Sequence, residues 1–129
     1  STTTPFAAAF ASVIGTAAGA MSLSDDATLT LDALGDPNAV WVLQAGTDLT
    51  IGARTVPNTP TGVTLANGAQ ASNVFWVVNG NMVMGSQGRA IGTFLVVGDV
   101  NLGNGSRVRG RVLSNTGAIT LRRNFVEIE

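Results

Sequence analysis

From Met21 onward, apolar and polar positions alternate in short runs that Gly, Asn, Asp and Ser interrupt. Short alternating runs between turn-forming residues are typical of β-strands. The pattern predicts strands at 27–31, 39–43, 49–51, 74–78, 82–84, 94–97, 100–102, 108–113, 119–121 and 125–128. Trp41, Phe75 and Trp76 lie in the most apolar runs and are predicted to be core or interface residues. The body of the chain is therefore predicted to be all-β.

The second half of the chain repeats itself at a shift of 18 residues, which aligns Arg89 with Arg107 and Gly92 with Gly110. The run at 100–102 aligns with the run at 119–121 at a shift of 19 residues. An internal period made of short strands and turns is the signature of a stacked repeat. We therefore predict a β-solenoid with about 18–19 residues per coil, whose coils stack at the interstrand spacing of about 4.8 Å.

The first twenty residues have a different pattern. A Thr-Pro pair at residues 4–5 is a favourable helix start. The apolar residues that follow recur at helical spacing, namely Phe6, Phe10, Val13, Ile14 and Ala17. The alternative is an extended arm that pairs with a neighbouring molecule, since an Ala- and Phe-rich segment has no polar face. We divide the chain into an N-terminal helix or arm at 1–20 and a solenoid domain at 21–129.

The composition limits the kinds of catalytic and metal-binding site that the chain can form. The chain has no His, Cys, Tyr or Lys, and only 12% of its residues are charged. Most metal sites, general bases and thiolate nucleophiles need the absent residues. The adjacent acids Asp25 and Asp26 would point to opposite faces of a strand, which is poor geometry for paired acid/base catalysis. We predict a non-enzymatic protein without a cofactor or metal.

Charge is divided unequally along the chain. Residues 1–53 hold five aspartates and no arginine, whereas residues 54–129 hold seven arginines against three acids, a net charge of −5 against +4. Opposite ends of opposite charge favour head-to-tail contact between copies. Arg107, Arg109 and Arg111 alternate along one predicted strand and form a candidate salt-bridge strip or phosphate site. A pI near 5.2 argues against nucleic-acid binding, and no segment predicts a membrane span.

Three segments carry a resemblance to a known family. NAVWVLQAGTDLTI at 38–51 resembles the aromatic strand and following coil of the microbial ice-binding (antifreeze) β-solenoid family. VTLANGAQASNVFWVVNG at 63–80 resembles that family's most recognisable segment. GRVL at 110–113 with TGAITL at 116–121 is similar to its closing coils. The resemblance covers roughly residues 21–126.

The resemblance implies a right-handed β-solenoid with three faces and a helix packed along one side, to which residues 4–14 would contribute a shortened version. Family members carry additional N-terminal coils, so part of the core of this chain would be open. The ice-binding surface of the family is a flat face of Thr, Ser and small residues. The candidates here are Thr28, Thr30, Thr47, Thr50, Thr61 and Thr64, and arginines interrupt such a face in the later coils.

Two functions follow. The first hypothesis is a structural subunit that assembles head-to-tail into a polymer of itself, because it accounts for the open core, the apolar leader and the divided charge together. Its predicted assembly residues are Phe6, Phe10, Val13, Ile14, Arg107, Arg109 and Arg111. The alternative is an ice-binding or surface-adhesion domain that acts through the Thr-bearing face. Both hypotheses predict an extracellular or cell-surface location.

Overall fold

A computed structural model describes residues 12–56 and 61–128 of the chain. Its strands are β1 (Ser12–Ala17), β2 (Met21–Leu23), β3 (Thr28–Asp32), β4 (Val40–Ala45), β5 (Leu49–Ile51), β6 (Gly62–Ala66), β7 (Val74–Val78), β8 (Met82–Met84), β9 (Arg89–Val96), β10 (Val100–Leu102), β11 (Arg107–Ser114), β12 (Ile119–Thr120) and β13 (Phe125–Glu127). A 3-10 turn at Ala71–Asn73 precedes β7. All the described strand pairs are parallel.

The strands form three sheets around one core. The wide sheet has the order β1-β4-β7-β9-β11-β13, the narrow sheet has the order β12-β10-β8-β5-β2, and β3 pairs with β6 in a two-stranded sheet. We call the face that carries the two-stranded sheet the third face. The chain passes through the wide sheet, the narrow sheet and the third face in turn, and each such circuit is one coil. Parallel stacking of successive coils confirms the predicted β-solenoid.

Coil length differs between the two halves of the molecule. On the narrow sheet, Met82 pairs with Val100, and Val100 pairs with Ile119, as the internal repeat of the sequence predicts. In the first half, Met21 pairs with Leu49, and Leu49 pairs with Met82, so the first two coils are much longer than the later ones. The early coils carry longer connections at the third face, and the predicted spacing holds only for the later coils.

Alternation along each strand sends every second side chain into the core. Trp41 and Phe94 are fully buried and Trp76 is nearly so. The rings of Trp76 and Phe94 stack with centroids 5.3 Å apart, and Trp76 Nε1 donates a hydrogen bond of 2.9 Å to the carbonyl of Ile91. The two tryptophans are therefore core residues, as predicted, whereas Phe75 faces outward and is half-buried.

Two glycines let the long strands turn a corner. Gly92 in β9 and Gly110 in β11 have φ of 124° and 141°, which L side chains rarely adopt. A Cβ at Gly110 would lie 2.1 Å from the carbonyl oxygen of Gly92. Before these glycines β9 and β11 belong to the third face, and β6 contacts β9 there; after them the strands continue the wide sheet.

The N-terminal prediction needs correction. Val13 and Ile14, which helical spacing placed on a helix, lie in β1, and β1 pairs with β4 so that Val13 is opposite Trp41. The helix is wrong for this segment because a free ladder edge of β4 satisfies its backbone groups in extended form. Phe6 and Phe10 lie outside the described residues. No helix in the described part of the chain is long and apolar enough to cross a membrane.

Candidate functional site

A row of small side chains runs across the outside of the narrow sheet. Strand pairing places one outward residue of each strand in register with its neighbours. These residues are Ser22, Thr50, Val83, Asn101 and Thr120, here called the narrow-sheet row. None carries a charge. At an interstrand spacing of about 4.8 Å, the row is about 19 Å long.

A ladder of side-chain hydrogen bonds forms one border of this row. Asp48 Oδ1 accepts from the backbone N–H of Asn81 at 2.8 Å, and Asn81 Oδ1 accepts from that of Asp99 at 2.8 Å. Asp99 Oδ1 in turn accepts from the N–H of Ala118 at 2.9 Å. Because each oxygen bonds to the next coil, these side chains lie along the solenoid axis. A Cβ at Gly98 would lie 2.2 Å from Asn81 Oδ1, so the ladder requires glycine there.

Glycines form the opposite border. Gly52, Gly85 and Gly103 follow the narrow-sheet strands at equivalent positions. The backbone N–H of Gly85 donates to the carbonyl of the preceding coil at 2.8 Å, and that of Gly103 does the same at 2.8 Å. A Cβ at Gly103 would lie 2.6 Å from the carbonyl carbon of Gly85. No side chain therefore rises from these three positions, and the narrow-sheet row is flat.

The predicted threonines do not form one face. Thr50 lies in the narrow-sheet row. Thr28, Thr30 and Thr64 lie on the two-stranded sheet, where the hydroxyls of Thr30 and Thr64 are hydrogen-bonded to each other at 2.9 Å. This sheet ends at β6. The structure thus divides these four threonines between two faces.

The other two predicted threonines lie apart from both sheets. Thr47 is exposed at the corner between β4 and β5. Thr61 is 5% exposed and precedes β6. Sequence reasoning missed Asn101 and Thr120 as surface residues, although the repeat that aligns their strands was visible in the sequence.

The arginines also separate. Arg107 and Arg109 meet Arg54 and Arg89 around a cavity of about 310 Å³ on the third face, here called the arginine cleft. Arg111 follows the bend of β11 and lies beside the 3-10 turn instead. Burial lowers the pKa of Arg89 below its ordinary value, and the charges of Arg54 and Arg107 lower it further. Two arginines of the predicted strip of three therefore line this cleft, together with Arg89 from the adjacent coil and Arg54 from the coil before it.

No part of the described chain covers the inner side of the last coil. Ile119 is 42% exposed and Val126 is 45% exposed. Their register partners one coil earlier, Val100 and Val108, are fully buried. β12 and β13 each pair on one side only among the described strands. We call this surface the open end.

The sequence of this chain is similar to those of known proteins. A model of the ice-binding-like family matches residues 10–127. The chain is 39% identical to ice-binding protein 1 of Shewanella frigidimarina over 100 residues, and this alignment covers 77% of this chain and 10% of that protein. Over 99 residues it is 34% identical to an ice-binding protein of Nostoc sp., which is 76% of this chain and 34% of that protein.

Solved structures agree with the sequence comparison. An ice-binding protein from an Antarctic biological consortium superposes with a TM-score of 0.79 at 28% identity, over 91% of this chain and 51% of that one. The corresponding domain of the Shewanella protein superposes with a TM-score of 0.78 at 33% identity, over 90% of this chain and 47% of that one. The chain thus spans about half of these structures, and less of the full-length relatives. Since the family match extends over residues 10–127, the chain belongs to the ice-binding-like family.

Proposed function

We propose that this chain binds ice through the narrow-sheet row. The observation that carries the proposal is a flat, uncharged row of small side chains, one on each of five hydrogen-bonded strands. Backbone ladders hold these side chains at a fixed spacing, so water bound between them is held in a regular array. Charged side chains would bind water in their own geometry, and the row has none. Relatives that are named ice-binding proteins support the same function.

The third face supports ice binding less well. Its threonines occupy only the two strands β3 and β6. In the later coils Arg89 and Arg107 take the corresponding face. Long cationic side chains break a flat array after two coils. The narrow sheet, which continues through all five coils, is therefore the better surface.

The test is a pair of bulky substitutions with a matched control. Thr50→Tyr and Thr120→Tyr each raise a ring above the row and should abolish most thermal hysteresis and inhibition of ice recrystallisation. Tyr and Thr both favour strands, so the fold should persist by circular dichroism. Leu95→Tyr, at an outward position of the wide sheet that is 43% exposed, should retain full activity. Equal loss in all three variants, or retention in Thr50→Tyr, would show that the row does not contact ice.

A second function, head-to-tail assembly, is favoured by the open end. Both ends of the solenoid have free strand edges among the described residues. At one end these are β1 of the wide sheet and β2 of the narrow sheet, and at the other end they are the second half of β11 on the wide sheet, β12 on the narrow sheet, and β13 beside the third-face half of β11. Because all described pairs are parallel, a second copy can continue the ladders in the same direction. Such a heterologous contact does not close and produces a filament.

Charge at one corner of the solenoid supports the same arrangement. Asp25 and Asp26 occupy this corner in the first coil, and Arg122 and Arg123 occupy it in the last; Asp26 and Arg123 both have positive φ, 60° and 52°. Backbone hydrogen bonds of 2.8–3.0 Å connect the coils between them, from Asp26 N to Ala53 O, Arg54 N to Ser86 O, Gln87 N to Asn104 O and Gly105 N to Arg122 O. A copy stacked in register would bring the two acids against the two arginines.

Assembly and ice binding can be separated with two lysine substitutions. Ile119 at the open end and Val83 in the row are each 42% exposed. Ile119→Lys should leave the protein monomeric by sedimentation velocity while it retains ice activity. Val83→Lys should still assemble but should lose ice activity. Arg122→Glu should weaken assembly, and salt should weaken it in the wild type. A wild-type protein that is monomeric at high concentration would contradict assembly alone. We also propose an extracellular or cell-surface location, because ice is an extracellular ligand.

A further inference from the structure

The arginine cleft lies where the third face is interrupted. The two-stranded sheet ends at β6, and the first halves of β9 and β11 continue the face in the next two coils. β6 touches β9, but no ladder joins these two described strands. The gap opens into the cavity of about 310 Å³ that the four arginines surround.

Positive charge in the cleft is concentrated and partly fixed. Among the described lining residues, four guanidinium groups face a single carboxylate, that of Glu127. Arg89 Nη1 donates to the carbonyls of Gln87 at 2.6 Å and Gly88 at 3.1 Å, and the guanidinium of Arg107 lies 5.1 Å from the centre of the Phe125 ring. The lowered pKa of Arg89 reflects its burial and the repulsion from neighbouring cations. An anion would relieve this repulsion.

A threonine whose buried hydroxyl has no partner among the described residues lines the same cavity. Thr61 is 5% exposed and lines the cleft, and its Oγ1 has no hydrogen-bond partner in the described part of the molecule. A buried hydroxyl without a hydrogen bond is destabilising. An acceptor bound in the cleft would satisfy it. Thr61 and the arginines are thus independent observations that indicate a ligand of the same chemistry.

The rest of the lining restricts the size and type of that ligand. Val63, Ala90, Ile91 and Val108 contribute apolar surface beside the charges. The volume is at the lower limit for small-molecule pockets, so a compact ligand fits better than a polymer. Guanidinium groups bind oxyanions with paired, charge-assisted hydrogen bonds.

We propose that the arginine cleft binds a tetrahedral oxyanion, a phosphate or sulfate group, with Arg54, Arg89 and Arg107 as its cationic partners and the Thr61 hydroxyl as a donor. This site is separate from the narrow-sheet row and does not depend on ice binding. The exposed Glu127 carboxylate lies at the same cleft and competes with the anion.

Titration calorimetry with inorganic phosphate and with sulfate, against chloride at equal ionic strength, tests the proposal. Both oxyanions should bind where chloride does not. Arg54→Gln and Arg107→Gln should each raise Kd about tenfold or more, since hydrogen bonds to charged groups are strong. Arg111→Gln removes the same charge from an exposed site outside the cleft and should change Kd by less than about twofold. Absent binding, or an equal loss in Arg111→Gln, would overturn the site.

Thr61→Val separates a binding role from a structural one. Removing a buried hydroxyl that lacks a partner should leave thermal stability without anion equal or higher, while the affinity for phosphate falls. Loss of stability with unchanged affinity would show that Thr61 is structural and would remove it from the site. A phosphate monoester that binds more tightly than inorganic phosphate would indicate that the ligand is a molecule bearing a phosphate group. The reverse order would indicate that the ligand is the free ion. Both orders support an oxyanion site.

Discussion

The ladder of side-chain hydrogen bonds beside the narrow-sheet row can be broken at one residue. Asn81 is its middle member: its N–H donates to Asp48 Oδ1, and its Oδ1 accepts from the N–H of Asp99. Asn81→Ala leaves the backbone bond to Asp48 in place and removes the acceptor for Asp99. The perturbation is therefore the loss of one hydrogen bond between coils.

The size of the effect follows from the exposure of the site. The bond from Asp99 N–H is solvent-exposed, so water replaces the lost acceptor and the net cost is about 1 kcal/mol. Unfolding entropy is about 2.1 cal/mol/K per residue. For a chain of 129 residues, 1 kcal/mol then corresponds to about 4 °C in Tm.

Thermal unfolding followed by circular dichroism, at matched protein concentration, measures this shift. Asn79→Ala is the control, because Asn79 is an exposed corner asparagine two residues away whose side chain does not take part in the ladder. Faster hydrogen exchange at the amide of Asp99 should accompany the loss in Asn81→Ala alone. Equal Tm values for the two variants would refute the view that side-chain oxygens hold adjacent coils together at this corner.

Two further predictions concern the backbone and pH. Gly110→Ala should destabilise the fold by at least about 2 kcal/mol more than Gly35→Ala in denaturant unfolding. Both glycines have positive φ, but only at Gly110 would the Cβ meet a backbone oxygen, 2.1 Å away. Similar losses of stability in the two variants would contradict this account. Hydrogen bonds from Thr55, first from its hydroxyl and then from its N–H, hold the pKa of Asp26 below its ordinary 3.8. Since the folded-state pKa is the lower one, this stabilisation is present above pH 3.8 and is lost as pH falls through the folded value. Thr55→Val should raise the pKa of Asp26 in an NMR titration, and an unchanged value would exclude the hydroxyl as its main cause.

Strands in the later coils could be predicted because their signals are local. Each apolar run lies between glycine or asparagine corners, and the repeat in the sequence appears in the ladder as Arg89 opposite Arg107. The prediction for the segment around Val13 is wrong because its apolar residues also fit helical spacing. What decides its conformation is the pairing of Val13 with Trp41, a full coil away along the chain, and no local pattern contains that contact.

For the site residues, too, local patterns could be predicted from the sequence and contacts between distant segments could not. Alternation along one strand puts Arg107 and Arg109 on the same side, and both line the cleft, but the bend at Gly110 separates Arg111 from them. Arg54 joins the cleft from a connection in the second coil, whose length differs from the later period. The threonines were grouped by residue type, although membership of a face depends on coil length, which the longer early coils obscured.

The two proposed functions reinforce each other geometrically. In the narrow sheet β12 lies at one edge and β2 at the other, so a copy stacked in register places its Ser22 next to Thr120 and continues the row at the same spacing. A row about twice as long contacts ice at more positions at once, and linked contacts raise affinity without any new type of interaction. Thermal hysteresis should therefore rise more steeply with concentration in the wild type than in Ile119→Lys, while the two coincide at low concentration, where both are monomers. Parallel curves over the range in which the wild type assembles would mean that the stacked copies do not present one continuous ice-binding face.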